Sequence, residues 1–268
     1  MNDYKIRRES ETHMSRVVVV ANQKGGVAKS TTAGAMAAGL KQRGYSVLAV
    51  DMDPQGNLSY SVGAEQYECM TIYNVMRREC EIGEAIQKLD CFDIVPANIM
   101  LAGAEQELSQ TGKEHRLRES LEPVRANYDF IVIDTPPSLG VLTINGLTAA
   151  DEIIVPTTAS IFAAAGMSQL DTTIKNVKRY CNHDVFVRGI LITKFGRGNI
   201  HESLSELTET MGNHMNAPVF KIKIRNRVGV EEAQANKQDL FTYDEKMVRN
   251  MGYDEFVSEY LDMLKEGK

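Results

Sequence analysis

The sequence predicts a doubly wound α/β fold, a mostly parallel sheet with helices on both faces. Three observations carry that expectation. Short runs rich in Val and Ile are unbroken by polar residues, as strands covered on both faces require. Longer stretches with helical spacing separate most of them, and strand followed by helix, repeated about seven times, builds parallel crossovers. No internal repeat, Pro/Gly-rich linker or low-complexity tract interrupts the 268 residues. Residues 16–268 are therefore expected to form a single domain. Residues 1–15 are polar and read as a flexible N-terminal extension, too short for a helix-turn-helix unit.

In chain order, the first strand is Val17 to Ala21, followed by a turn at Gly25 and Gly26 and an Ala-rich helix, Thr31 to Arg43. Phosphate oxygens need backbone N–H donors with no Cβ in the way, and a helix N-terminus adds to the attraction. The segment Lys24 to Thr31 supplies both. Gly25, Gly26, Val27, Ala28 and Thr31 would form the cradle, Lys29 would reach the β- and γ-phosphates, and the Ser30 hydroxyl would complete a Mg²⁺ shell. The expected ligand is ATP with Mg²⁺ on a P-loop.

The second strand, Val47 to Asp51, runs into Asp51-Met52-Asp53-Pro54-Gln55-Gly56-Asn57. A strand at Asp93 to Pro96 and helical spacing from Leu101 to Arg125 follow. Phe130 to Ile133 then ends in Asp134-Thr135-Pro136-Pro137-Ser138, an apolar strand that fixes a carboxylate where it would hold a water of the Mg²⁺ shell. One such Asp is common by chance; a P-loop followed by two acidic strand ends in this order is not. Strands at Ile153 to Pro156, Val187 to Thr193 and Val219 to Ile224 alternate with helical stretches at Met167 to Tyr180, His201 to Met215 and Asp254 to Leu264.

Composition excludes several classes. No apolar run approaches the roughly 20 residues needed to cross a bilayer, and the opening MNDYKIRRESETH lacks an apolar signal core. The expected location is cytoplasmic. Cys69, Cys80, Cys91 and Cys181 lack the close pairing of metal knuckles or redox motifs and read as reduced structural thiols. The net charge of −6 hides an asymmetry: Lys175 to Arg227 holds ten Lys or Arg against four Asp or Glu. That split suits a polyanion-binding face, although charge alone fits a merely solvated face as well.

Lys24-Gly25-Gly26-Val27-Ala28-Lys29-Ser30 resembles the deviant Walker A of the ParA/MinD ATPases. In that family the first lysine contacts the nucleotide of the partner subunit in an ATP-sandwich dimer, a role that falls here to Lys24. Ala28 departs from the family, which generally has Gly there. Asp51 to Asn57 resembles the D-x-D-P-Q-G-N segment, whose second carboxylate, here Asp53, sits by the γ-phosphate and Mg²⁺ and positions the attacking water. By the same resemblance Thr135 to Ser138 is the second switch, and Lys24, Lys29 and Asp53 are the catalytic set. Ser30, Asp53 and Asp134 are the metal set.

The likeness continues through Thr71 to Met76, Phe92 to Glu105, Ile154 to Pro156 and Ala165 to Leu170. Ile224 to Ala233 aligns on I-P-R-N-V-R-L-S-E-A, which places Arg225, Asn226 and Arg227 near adenine. Arg225 and Arg227 replace the usual Pro and Asn, so base recognition is expected to run through backbone groups.

The resemblance implies an ATP-dependent DNA segregation protein with weak intrinsic ATPase activity. It would dimerise on ATP, bind non-specific DNA through Arg197, Lys221, Lys223, Arg225 and Arg227, and answer to a ParB-like centromere-binding partner at the nucleoid. The alternative is a MinD-like positioning scaffold or regulator with little hydrolysis. Membrane use is disfavoured because Gly252 to Glu266 carries five acids and one Lys. Phe256, Tyr260, Leu261 and Leu264 are expected to pack on the sheet. Cysteine spacing argues against electron transfer, and the chain lacks the Tyr-rich tail of the tyrosine-kinase relatives.

Overall fold

Eight strands hydrogen-bond into one sheet in the computed structural model, which describes residues 15–107, 111–158, 161–196, 210, 212–213 and 215–266. They are β1 (Arg16–Val20), β2 (Val47–Asp51), β3 (Gln87–Lys88), β4 (Asp93–Val95), β5 (Phe130–Asp134), β6 (Glu152–Thr158), β7 (Phe186–Phe195) and β8 (Val219–Arg225). Their order across the sheet is β3-β4-β2-β5-β1-β6-β7-β8, and every pairing is parallel except β3 with β4. The helices among the described residues are α1 (Lys29–Gln42), α2 (Asn57–Ser61), α3 (Ile72–Arg77), α4 (Ile82–Ala85), α5 (Leu101–Glu107), α6 (Arg116–Arg125), α7 (Val141–Ala149), α8 (Ile161–Tyr180), α9 (Gly229–Ala235), α10 (Leu240–Met251) and α11 (Tyr253–Lys265).

The unbroken strands are covered on both faces, as their sequence requires. Val17 and Val19 of β1 join a core with Leu121 of α6, Leu147 of α7 and Leu170 of α8. Val18 and Val20 point the other way, into a core with Met36 of α1, Phe241 of α10 and Phe256 and Tyr260 of α11. Burying this much aliphatic surface, at roughly 25 cal/mol per Å², is the main force holding the layers. Phe256 and Tyr260 are fully buried and Leu261 and Leu264 partly so, as the acidic but amphipathic last helix led one to expect.

The helical reading of Leu101 to Arg125 needs correction. The structure divides it into α5 and α6, with Gly112 at φ 80° opening a short 3₁₀ turn, Lys113–His115, ahead of α6. A glycine in left-handed backbone ends one helical stretch and starts another. Helix α7 was not anticipated, because Thr143, Ile144, Asn145 and Gly146 are poor helix formers. Packing overrides that weakness: a Cβ on Gly146 would meet Thr135 Cγ2 at 3.1 Å and Val19 Cγ2 at 3.2 Å, so the glycine lets α7 lie close on the sheet. Most of His201 to Met215 lies outside the described residues, as does Arg197 and the extension up to residue 14.

The right-hand part of the sheet is irregular. Between β6 and β7 the register skips Arg188. That bulge turns the Arg188 guanidinium inward to the fully buried Glu152, with contacts of 3.0 and 2.7 Å. Arg16 also pairs with Glu152, and the Tyr260 hydroxyl donates a hydrogen bond to it. Arg188, one of the ten cations of the basic stretch, is therefore a structural ion pair and unavailable to a polyanion.

Candidate functional site

Strands β1, β2 and β5 end at one level, because Val20 pairs with Asp134 and Asp51 pairs with Asp134. Ligands of open parallel sheets bind at such carboxyl ends. A cleft of about 540 Å³ opens there. Gly25, Gly26, Ala28, Lys29, Ser30 and Thr31 form one wall, Asp53, Gln55, Asn57 and Tyr60 a second, and Ile224 to Arg227 with α9 a third.

The loop after β1 has the geometry of an anion cradle. Gly26 adopts φ 71°, and a Cβ placed on it would meet no atom within 4 Å, so its backbone faces open space. Ala28 caps α1 at φ 62° and ψ 37°, a left-handed conformation that costs a non-glycine residue roughly 1–2 kcal/mol. The family's glycine would take it freely. Lys29 is 7% exposed, and its ammonium donates to the Lys24 carbonyl at 3.3 Å. Burial pulls its pKa below the usual lysine value, while the charges of Asp134 and Asp53 oppose that fall.

Beneath the loop lie two fully buried carboxylates. Asp51 accepts from the Ser59 amide and hydroxyl at 2.9 and 2.7 Å and from the Asp53 amide at 3.1 Å. Burial raises its pKa to about 6 in spite of those donors. Asp53 in turn accepts from the Gln55 amide at 3.0 Å, so its carboxylate is oriented by its own turn. Asp134 differs: neither of its oxygens makes a hydrogen bond of ordinary geometry among the described residues, and the Ser30 hydroxyl is only near enough to favour the charged form. Burial, then repulsion from Asp51, pushes its pKa well above the carboxylate range, with the Ser30 hydroxyl and Lys29 working against the shift. A buried, unpaired carboxylate beside a serine at a helix N-terminus fits a hydrated Mg²⁺, which binds few protein groups and keeps its waters.

The structure thus brings Gly25, Gly26, Ala28, Lys29, Ser30, Thr31, Asp53, Arg225, Asn226 and Arg227 onto one cleft and sets Asp134 below it. Lys24 and Val27 do not line it. The Lys24 ammonium reaches sideways to Thr158 Oγ1 at 3.4 Å, and Val27 is buried with its carbonyl accepting from Thr193 at 3.0 Å. The basic stretch is divided: Arg225 and Arg227 belong to the cleft wall, whereas Lys221 is exposed and Lys223 lies over the Phe195 ring at 4.9 Å, farther back on β8. Sequence reasoning gave no role to Tyr60, Lys194 and Tyr253, which also line the cleft. The unusual backbone of Lys194, φ 52°, has no local signal in its residue type. The cysteines are free, and burial raises the thiol pKa of Cys69, Cys80 and Cys91, which disfavours the thiolate. No described helix is long and apolar enough to cross a membrane.

Known proteins resemble this chain in sequence and fold. A family model described as an AAA domain matches residues 15–187. The sporulation initiation inhibitor protein Soj of Bacillus subtilis is 36% identical over 258 residues, 94% of this chain and 98% of its own length. The chromosome partitioning protein ParA of Myxococcus xanthus is 37% identical over 257 residues, covering 94% of this chain and 89% of that one. Among solved structures, a cobyrinic acid a,c-diamide synthase from Mycobacterium smegmatis with bound ATP analog and magnesium superposes with a TM-score of 0.81. It is 34% identical and covers 95% of this chain and 97% of its own.

Proposed function

The chain belongs to the ParA and Soj family of ATPases, and from that premise we propose that it is a partition ATPase whose ATP-bound dimer holds non-specific DNA. Hydrolysis would be slow, stimulated by a ParB-like centromere-binding protein, and would release the DNA. Residues 16–268 would act as one unit at the nucleoid, with no membrane partner. One observation supports the nucleotide reading above all: the unpaired, buried Asp134 under Lys29 and Ser30, at the foot of an open cleft.

In this reading Ser30, Asp53 and Asp134 hold Mg²⁺, which when bound supplies charge neutralisation across the phosphates. The amides of Gly25 to Thr31 and the Lys29 ammonium bind phosphate oxygens. Asp53, fixed through Asp51 and Gln55, orients the attacking water, since phosphoryl transfer needs positioning more than basicity. Arg225, Asn226 and Arg227 flank the base. Lys24, turned off its own cleft toward Thr158, serves the nucleotide of a second subunit. With Arg225 and Arg227 engaged at the cleft, DNA contact falls to Lys221, Lys223 and Arg197, and it is salt-sensitive and indifferent to sequence.

Sedimentation with MgATP, MgADP or no nucleotide, paired with gel shifts on random-sequence duplex at two salt concentrations, tests the proposal. A dimer that binds DNA only with MgATP is expected, and Lys24→Ala should abolish it. DNA binding identical in all three nucleotide states would remove the gating mechanism. An ATP dimer without turnover, even with DNA and partner present, would favour the scaffold alternative.

A further inference from the structure

Lys194 stands at the carboxyl end of β7 and is exposed, yet it lines the cleft. The β7–β8 register shifts between Ile192 and Phe195, so Lys194 sits in a bulge, and its backbone takes φ 52°. Bulges re-aim side chains, and a left-handed non-glycine residue persists only where its surroundings impose it. If this position served only to turn the chain out of the sheet, glycine would do so at lower cost. The residue before it ties the bulge to the phosphate loop: the Thr193 hydroxyl shares its hydrogen between the Val27 carbonyl at 3.0 Å and the Thr157 carbonyl at 3.1 Å. Val27 immediately precedes the strained Ala28, so Lys194 is anchored next to the cradle. Among the described residues the Lys194 ammonium has neither an ion-pair nor a hydrogen-bond partner. Its neighbour Lys223, by contrast, is laid over Phe195.

We propose that Lys194 is a nucleotide-binding residue, its ammonium offered to the phosphate chain from beside the phosphate loop. This rests on the ATPase reading of the cleft. The bulge and the Thr193 tether fix the Lys194 backbone beside the phosphate loop, so only the side chain has to be ordered for its charge to reach a bound phosphate. The strain then has a consequence: removing the side chain should weaken the nucleotide complex while leaving the empty protein as stable as before, or more so.

The test is calorimetric titration of MgADP into the full chain, with thermal melts of the nucleotide-free protein, for Lys194→Gly and Lys194→Met. Lys194→Gly should raise Kd about tenfold and leave the melting temperature unchanged or higher, because glycine accepts the backbone without strain. Lys194→Met keeps the stem and loses the charge. It should raise Kd to the same extent, and the difference from the parent should shrink as salt is raised. Parent-like affinity in either variant overturns the proposal. So does weaker binding accompanied by an equal fall in the melting temperature of Lys194→Gly, which would mark a structural role. A parent chain that takes no MgADP would overturn the ATPase reading itself, and the two failures are thereby distinct.

Discussion

The two halves of the sheet are built differently. In β2, β5 and β1 the pairing is continuous, Val47 to Asp51 beside Phe130 to Asp134 and Arg16 to Val20 beside Phe130 to Asp134, with no shift in register. In β6, β7 and β8 each successive pairing carries at least one shift. The regular half delivers the phosphate loop, Asp51 and Asp134 to one level, where carboxylate positions must hold within a fraction of an ångström. The irregular half supplies Arg188 to a buried ion pair, Lys194 to the cleft and the exposed Lys221 to the edge. Regular pairing fixes chemistry, and bulges redirect side chains toward recognition.

The largest expected effects fall in the regular half and separate binding from chemistry. Lys29→Ala removes the buried ammonium proposed to hold phosphate and should weaken MgATP binding about 100-fold, about 3 kcal/mol, in a titration. Asp53→Ala should bind MgATP within a few-fold of the parent and lose about 10²–10³ in turnover, measured by phosphate release. Equal loss of binding in both would mean that Asp53 holds the nucleotide and positions no water. Comparable losses from Ala substitutions at Arg225 or Arg227 would erase the division of labour between the halves.

A smaller effect probes the irregular edge. The backbone N–H groups of Lys221 and Ile222 on β8, the last strand of the sheet, donate to the Glu259 carboxylate of α11 at 2.8 and 3.1 Å. That side chain stands in for a missing strand, and edge strands need such cover. Glu259→Ala should cost about 1–3 kcal/mol in urea unfolding, with MgADP affinity nearly unchanged. If affinity fell as far as stability, the edge and the cleft would form one coupled unit.

The same division decided what the sequence made legible. The bounds of β2 and β5 match their Val- and Ile-rich runs ending in Asp51 and Asp134, because burial on both faces leaves a compositional trace. That Gly25, Gly26 and Ala28 to Thr31 share a cleft was legible because a phosphate-binding loop calls for particular residue types in a fixed order. Bulges at Arg188 and Lys194 were not, since register depends on a neighbouring strand more than 20 residues away. Arg225 and Arg227 carried two competing readings, cleft and DNA face. Charge alone cannot tell an inward arginine from an outward one on adjacent turns of chain.

The smallest effect concerns the point where the two halves meet, Ala28, whose preceding carbonyl is held by Thr193 of β7. Its left-handed backbone costs alanine roughly 1–2 kcal/mol more than glycine in the folded state. A glycine, however, gives the unfolded chain extra freedom that costs about 0.4–1 kcal/mol. The two terms partly cancel, so Ala28→Gly should leave stability unchanged or raise it by no more than about 1.5 kcal/mol. The cleft feels only the first term. With strain relieved and no methyl at the cradle, the loop closes on phosphate at lower cost, and MgATP affinity or turnover should rise a few-fold. Titration and phosphate release on the same preparation, beside urea unfolding, separate the two. If affinity and turnover are unchanged, Thr193 holds the loop in its binding shape whatever residue stands at 28, and the irregular half sets the conformation of the regular one.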